Sequence, residues 1–276
     1  SIPGSVAVTD SDSDGVADHL YFADLGGQLF RADIGKSGSS SHSVKRLAAL
    51  GGSGENHRRF YEQPTVAYVR DGAFSSYYVT LASGYRAHPL DTGTQDALFV
   101  LRDQEPFGGG TKTAATVADF SNLSIDGTID TSDRGWYFNL DKGEGEKALS
   151  SPAVFNSEIL FTTYSPNAET DAEVDPCSVT YGQSYLYRVN LKTGERYRYT
   201  LLQPGLPPGV TVLLAEDGKP AIVVGTEAIS GDANPPAPGV PNPVPLRDLR
   251  HGRWMQLTPD AAGAIKLPQD DQIPGD

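Results

Sequence analysis

The clearest chemistry in this sequence lies in nine residues, Asp10-Ser11-Asp12-Ser13-Asp14-Gly15-Val16-Ala17-Asp18. Carboxylates stand at positions 1, 3, 5 and 9 of the run, and glycine at position 6. Ca²⁺ is a hard cation that takes about six to eight oxygens, and a loop curling round it turns alternate residues inward. The spacing therefore predicts a calcium loop. Its ligands would be Asp10, Asp12, Asp14, the carbonyl of Val16, and Asp18 either directly or through water. Gly15 permits the sharp turn. Four clustered carboxylates also repel one another unless a cation compensates. The alternative is an exposed acidic loop held by Asx-turns.

Position 12 of the run is Tyr21, where an EF-hand places a bidentate Glu. A strand, not a helix, is predicted to follow over residues 19–22. The prediction is thus an EF-hand-like loop in a non-helical setting. Its affinity should be weaker than that of the tightest buffers, between roughly 10⁻⁴ M and the micromolar range.

Other candidates are weaker. Asp126-Gly127, Asp130 and Asp133 lack the alternation of a calcium loop and read as a solvated loop. Arg86, His88 and Asp91 follow a strand and could serve an active site, but a loop anchored by hydrogen bonds is the simpler reading. His19, His42, His57, His88 and His251 show no pairing at zinc-ligand spacing. Residues 108–113 are Gly-rich but have no adjacent Gly-Lys pair and no strand-to-helix setting, so nucleotide binding is rejected. There is no Gly-x-Ser-x-Gly elbow. Trp136-Tyr137-Phe138 and residues 160–164 read as aromatic strands serving a core.

The elements that must hold the loop are strands. Leu20-Tyr21-Phe22 and residues 28–31 flank Asp24-Leu25-Gly26-Gly27 and read as a hairpin. Strands are also predicted over 65–69, 77–82 and 97–101, the first two joined by Asp71-Gly72. Residues 153–155 and 158–163 flank Asn156-Ser157. Residues 185–190 and 195–199 flank Lys192-Thr193-Gly194, and 210–215 and 221–224 flank Asp217-Gly218. Residues 253–257 read as a final strand. No stretch carries a helical stripe. Hairpins recur loosely, roughly every 40 to 50 residues, as propeller blades do. Residues 35–43 are rich in Gly and Ser, and residues 229–246 form a Pro-rich connector. The predicted organisation is blades over 1–228, the connector over 229–246, and a closing strand and tail over 247–276.

Composition narrows the function. The 276 residues include 30 Gly and 20 Pro, which cut the chain into short pieces and favour strands and turns. A net charge of -13 and a pI near 4.7 argue against nucleic acid, whose binding needs Lys and Arg to neutralise phosphates. No apolar run is long enough to span a membrane. The chain starts with Ser1, which suggests a mature or excised fragment. The single Cys177 has no internal disulfide partner. It is either a thiol without a role or one paired outside this chain.

Four segments carry a family resemblance: residues 10–33, residues 81–91, residues 149–164, and residues 175–195 from Asp175-Pro176-Cys177-Ser178 onward. In this order they resemble the C-terminal propeller of the PilY1 (PilC-like) type IV pilus tip-associated proteins. The resemblance implies an all-β, modified β-propeller, seven-bladed in the family. This chain would cover about its C-terminal half, in about four blades, with the N-terminal half missing. It also implies calcium on Asp10, Asp12, Asp14, Val16 and Asp18, with occupancy regulating pilus extension and retraction, twitching motility and surface attachment. Partners would be minor pilins and host or abiotic surfaces. Location would be the pilus tip or outer membrane, after export through the periplasm. Some members carry an Arg-Gly-Asp integrin motif, but Arg70-Asp71-Gly72 has the wrong order.

Two other functions compete with this non-enzymatic reading. A quinoprotein-like propeller dehydrogenase also uses calcium, but places it at a central cofactor through dispersed residues. An integrin-like repeat module would carry calcium loops on several blades, and only one clear loop is present.

Overall fold

The computed structural model describes residues 1–34, 42–71, 74–107, 110–125, 127–167, 182–203, 205–214 and 220–230. All of them fall within the first of the chain's two units, Ser1–Pro245. Most of the predicted connector and the predicted closing strand near Trp254 lie outside these residues. So do Cys177, His251, Asp126, Gly108 and Gly109, residues 35–41, and the Gly72 and Asp217-Gly218 turn positions.

The described residues form four sheets, met one after another along the chain. The first runs β1 (Ala7–Thr9), β2 (His19–Ala23), β3 (Gln28–Asp33), β4 (Ser43–Ala49), each antiparallel to the next. The second contains β5 (Thr65–Asp71), β6 (Phe74–Ala82) and β7 (Ala97–Asp103). Two short strands then make parallel pairs. β8 (Ala115–Thr116) joins β4 of the first sheet, and β9 (Phe120–Asn122) joins β10 (Gly135–Asn139), which closes on β7. In the third sheet β11 (Lys147–Ala148) and β12 (Ala153–Phe155) both pair with β13 (Glu158–Ser165), as one interrupted strand would. β14 (Gln183–Asn190) and β15 (Arg196–Thr200) complete it. The fourth is β16 (Val210–Leu214), β17 (Pro220–Val224) and β18 (Glu227–Ser230). β18 thus runs two residues past the boundary predicted at 228.

Local chemistry explains the hairpins. Asn156 and Ser157 both adopt left-handed backbone (φ 48° and 63°), as a two-residue turn matching strand twist requires. Asp24 Oδ1 accepts from the Gly26 and Gln28 amides, 2.9 Å each, and closes the β2–β3 turn. Gly27 in that turn has φ 73°, and a Cβ there would lie 2.3 Å from Gly51 backbone. Only glycine fits both demands.

The core fills the gaps between consecutive sheets. β7 shows why its sequence, ALFVLRD, is nearly all apolar. Ala97, Phe99 and Leu101 face Tyr21, Leu29 and Leu47 of the first sheet. Leu98 and Val100 face Ile159, Phe161 and Tyr187 of the third. A strand buried on both faces loses the alternation of a half-exposed one. The third sheet repeats this, with Leu160 and Leu186 packing on Ile222 and Val224 of the fourth.

Candidate metal centre

The run 10–18 is the loop between β1 and β2, whose last pair is Thr9 with His19. The Asp18 amide donates to the Thr9 carbonyl (2.9 Å), and the Ile34 amide donates to the Asp18 carbonyl (2.8 Å). Ser13 (φ 61°) and Gly15 (φ 87°) put left-handed turns in the loop, and these curl it back on itself. The predicted tight turn at Gly15 is therefore present, and the element after the loop is a strand.

Three of the four carboxylates come together. Asp10, Asp12 and Asp18 each offer one oxygen, and the three oxygens lie within 4.8 Å of one another. Asp14 stands outside this group, with its Oδ1 accepting from the Val16 amide at 2.8 Å. Val16 is exposed, which leaves its apolar side chain in solvent.

The Asx-turn hydrogen bonds of the alternative reading are also present. Asp10 accepts from the Ser13 amide (2.6 Å) and the Gly15 amide (2.8 Å), and Asp12 from the Asp14 amide (3.3 Å). The two readings are compatible, because each carboxylate oxygen has more than one lone pair. Asp18 accepts from both the amide and the hydroxyl of Ser11, at 2.7 and 2.5 Å. The Ser11 hydroxyl and then its amide hold the Asp18 carboxyl below the ordinary carboxylate range, so it stays charged. Three charged, oxygen-only donors from one partly exposed loop fit a hard cation, and they are the only such group among the described residues.

The loop rests on a second element that its sequence does not announce. Tyr77, from β6 in the second sheet, donates its hydroxyl to the Asp10 carbonyl at 3.3 Å. Burial, and then the charges of Asp18 and Asp10, raise this hydroxyl's pKa against a lowering contact with Thr9. Nearby, Arg31 of β3 crosses to the second sheet. It donates to Asp103 (2.6 Å), Glu105 (3.1 Å) and Asp33 (2.6 Å). Tyr21 Oη donates to Asp103 (2.9 Å), and Lys45 to Glu105 (2.6 Å). Burial alone would lower the Arg31 pKa, but the bonds and charges of Asp33 and Asp103 raise it overall. No local motif signals this network. Asp103 lies 72 residues from Arg31.

The weaker candidates do not converge into a site. Arg86 donates to the Glu62 carboxylate and to the Leu149 carbonyl, and the His88 ring packs on Tyr85 at 4.7 Å. The Asp91 carbonyl accepts from Lys147 (2.6 Å). This is a loop anchored by its hydrogen bonds. Asp130 accepts from the Ser132 amide and hydroxyl, and Asp133 from the Ser121 hydroxyl. Trp136 and Phe138 belong to the core between the second and third sheets.

No protein-family model matches the sequence. A type IV pilus biogenesis factor PilY1 homolog from Xylella fastidiosa is 24% identical over 214 residues, which is 69% of this chain and 14% of that protein. The crystal structure of the Pseudomonas aeruginosa PilY1 C-terminal domain superposes with a TM-score of 0.61 at 19% identity. That match covers 82% of this chain and 59% of the solved one. The chain is PilY1-like. Its all-β fold is similar to that C-terminal domain, and its length is a small part of the curated relative's. No helix among the described residues is long and apolar enough to cross a membrane.

Proposed function

We propose that this chain is a calcium-binding part of a type IV pilus biogenesis factor. Calcium at the β1–β2 loop regulates pilus extension and retraction, and through them twitching motility and surface attachment. Asp10, Asp12 and Asp18 hold the ion through their carboxylates. Asp14 and the Val16 carbonyl complete the shell once the loop closes on the cation. Bound Ca²⁺ supplies charge neutralisation and a fixed loop shape, not a reaction step, and the protein acts as a binding and regulatory factor rather than an enzyme. The observation that carries this reading is the convergence of three aspartates in one loop of a PilY1-like fold.

In this reading the four sheets are four blades of a modified, seven-bladed β-propeller. Support comes from the face-to-face cores between consecutive sheets. It also comes from the outer face of the first sheet, where the cross-strand row Val8, Leu20, Ala32, Val44 is apolar. Val8 and Val44 there are 61% and 68% exposed, as expected of a face awaiting another blade. The partners are then the missing blades, minor pilins, and host or abiotic surfaces. The location is the bacterial surface, at the pilus tip or outer membrane, reached through the periplasm.

The test has two levels. Calorimetry should find Ca²⁺ binding in the wild type and none in Asp12→Ala; unchanged binding in the variant ends the assignment of the loop. Strains carrying Asp18→Ala or Asp18→Lys should show altered twitching and surface piliation. Normal behaviour in both removes the regulatory claim and leaves ion binding intact.

A further inference from the structure

We infer that Tyr77 is a positioning residue for the cation loop, and that through it cation occupancy is coupled to the junction of the first and second sheets; this rests on the calcium reading above. The loop's base has three main-chain anchors. Two come from its own sheet, the bonds of Asp18 with Thr9 and with Ile34. The third comes from the neighbouring sheet, where the Tyr77 hydroxyl donates to the carbonyl of Asp10, the first residue of the loop. That carbonyl belongs to a residue whose carboxylate is one of the three that converge.

Tyr77 is well placed to transmit a change. It is 4% exposed, and its ring is the hub of an aromatic cluster. His19 and Tyr21 from β2 meet it edge-on, with centroids 6.4 and 6.1 Å away. Phe107 and Tyr68 pack on it from the second-sheet side, at 4.9 and 6.2 Å. The next bonds outward belong to the charge network, since Tyr21 donates to Asp103, which also receives Arg31. The Tyr77 ring therefore meets both the strand that follows the loop and the second-sheet side of the junction.

The physical coupling is the satisfaction of a buried hydroxyl. A loop conformation that withdraws the Asp10 carbonyl takes away one of the Tyr77 hydroxyl's two partners and leaves the contact with Thr9, at the cost of about one neutral hydrogen bond. The closed loop is thus favoured before any ion arrives. An ion that fixes Asp10 in turn favours the packed arrangement of Tyr77, because linkage between two sites is reciprocal. Tyr77 does not touch the ion. It sets how often the loop is in the shape that can take one.

The experiment is calorimetric titration of CaCl₂ into the full chain, as wild type, Tyr77→Phe and Tyr21→Phe, together with the melting temperature of each without metal. Phenylalanine keeps both rings, so packing survives. Losing one neutral hydrogen bond should weaken Ca²⁺ binding by roughly two- to ten-fold in Tyr77→Phe. Tyr21→Phe loses its bond to Asp103 and should melt lower without metal, yet weaken Ca²⁺ binding less than Tyr77→Phe does, because it reaches the loop only through the Tyr77 ring. A purely structural role for Tyr77 would lower its melting temperature and leave its affinity alone. Unchanged affinity in Tyr77→Phe, or equal weakening in both variants, overturns the inference while the calcium reading stands. A wild type that takes up no Ca²⁺ overturns both.

Discussion

Two clusters of carboxylates lie along the first sheet, and they are neutralised in opposite ways. In the loop 10–18, Asp10 and Asp18 are partly exposed and are held by amides and a serine hydroxyl. At the junction with the second sheet, Asp103 and Glu105 are buried and meet the cations of Arg31 and Lys45. The buried cluster carries its counter-charge in the sequence, whereas the exposed cluster is suited to recruit one from solvent. A charge that comes from the chain fixes a structure permanently. A charge that comes from solution makes the structure respond to concentration, which is what the proposed function asks of the exposed cluster.

The comparison breaks most visibly at Arg31. Its side chain is 6% exposed, and Arg31→Leu leaves Asp103 buried without its cation. Removing one partner of a buried pair costs about 3–5 kcal/mol, far more than the pair adds net. Urea unfolding should therefore show a loss of that size in Arg31→Leu. Arg31→Leu combined with Asp103→Leu should recover much of it, because no buried charge is then left alone. A single variant with wild-type stability would mean the junction is wet and the contrast with the loop is false.

Asp96 sharpens the buried side. It is fully buried; Oδ1 accepts from Ser83 at 2.6 Å, and Oδ2 has no hydrogen-bond partner among the described residues. Burial raises its pKa to about 6, against the lowering effects of Ser83, Lys147 and Arg58. A raised carboxyl pKa means that the folded state holds the proton more tightly than the unfolded chain, whose value is 3.8. This group therefore costs stability above pH 6, and the cost is relieved as pH falls from 6 towards 4. The full effect is about 3 kcal/mol. Asp96→Asn should flatten that part of the stability–pH curve and be more stable than wild type at pH 8. A wild-type curve that falls steadily from pH 7 to pH 4, and an Asn variant no more stable at pH 8, would contradict it.

On the exposed side the effect is conditional on the ion. Asp12→Ala should barely change metal-free stability, within about 0.5 kcal/mol, as exposed substitutions do. With Ca²⁺ at a hundred times its dissociation constant, the wild type should gain about 2.7 kcal/mol and the variant nothing. Thermal melts with and without Ca²⁺ read the difference directly.

What the sequence displays and what it hides follow the same division. The loop is legible because its four carboxylates lie within nine residues and glycine marks the turn. Asp14 lies outside the group of three, with its carboxylate accepting from the Val16 amide two residues on. The hairpins were legible wherever a two- or three-residue turn carries its own code, as at Asn156-Ser157. β8, β9 and β11 are not, since strands of two or three residues have no period to read, and β8 pairs in parallel with a strand far back in the chain. Arg31 with Asp103, and Tyr77 with the loop, were hidden for another reason. Each contact joins residues 72 and 67 apart, and only the packing of one sheet on the next brings them together.

The smallest expected effect isolates the loop's own chemistry from everything beneath it. Ser11 donates twice to Asp18, and its hydroxyl is the first cause of that carboxyl's lowered pKa. Asp18 is partly exposed, so folding stability should respond only weakly to Ser11→Ala. The carboxyl itself should respond. In a metal-free NMR titration the Asp18 midpoint should move up towards the ordinary value in the variant. The direction follows from sign alone: a donor that favours the charged form lowers the pKa, and deleting it raises the pKa. If the Asp18 midpoint does not move, its neighbouring charges rather than the Ser11 bonds set it. The exposed cluster would then resemble the buried one more closely than their partners suggest.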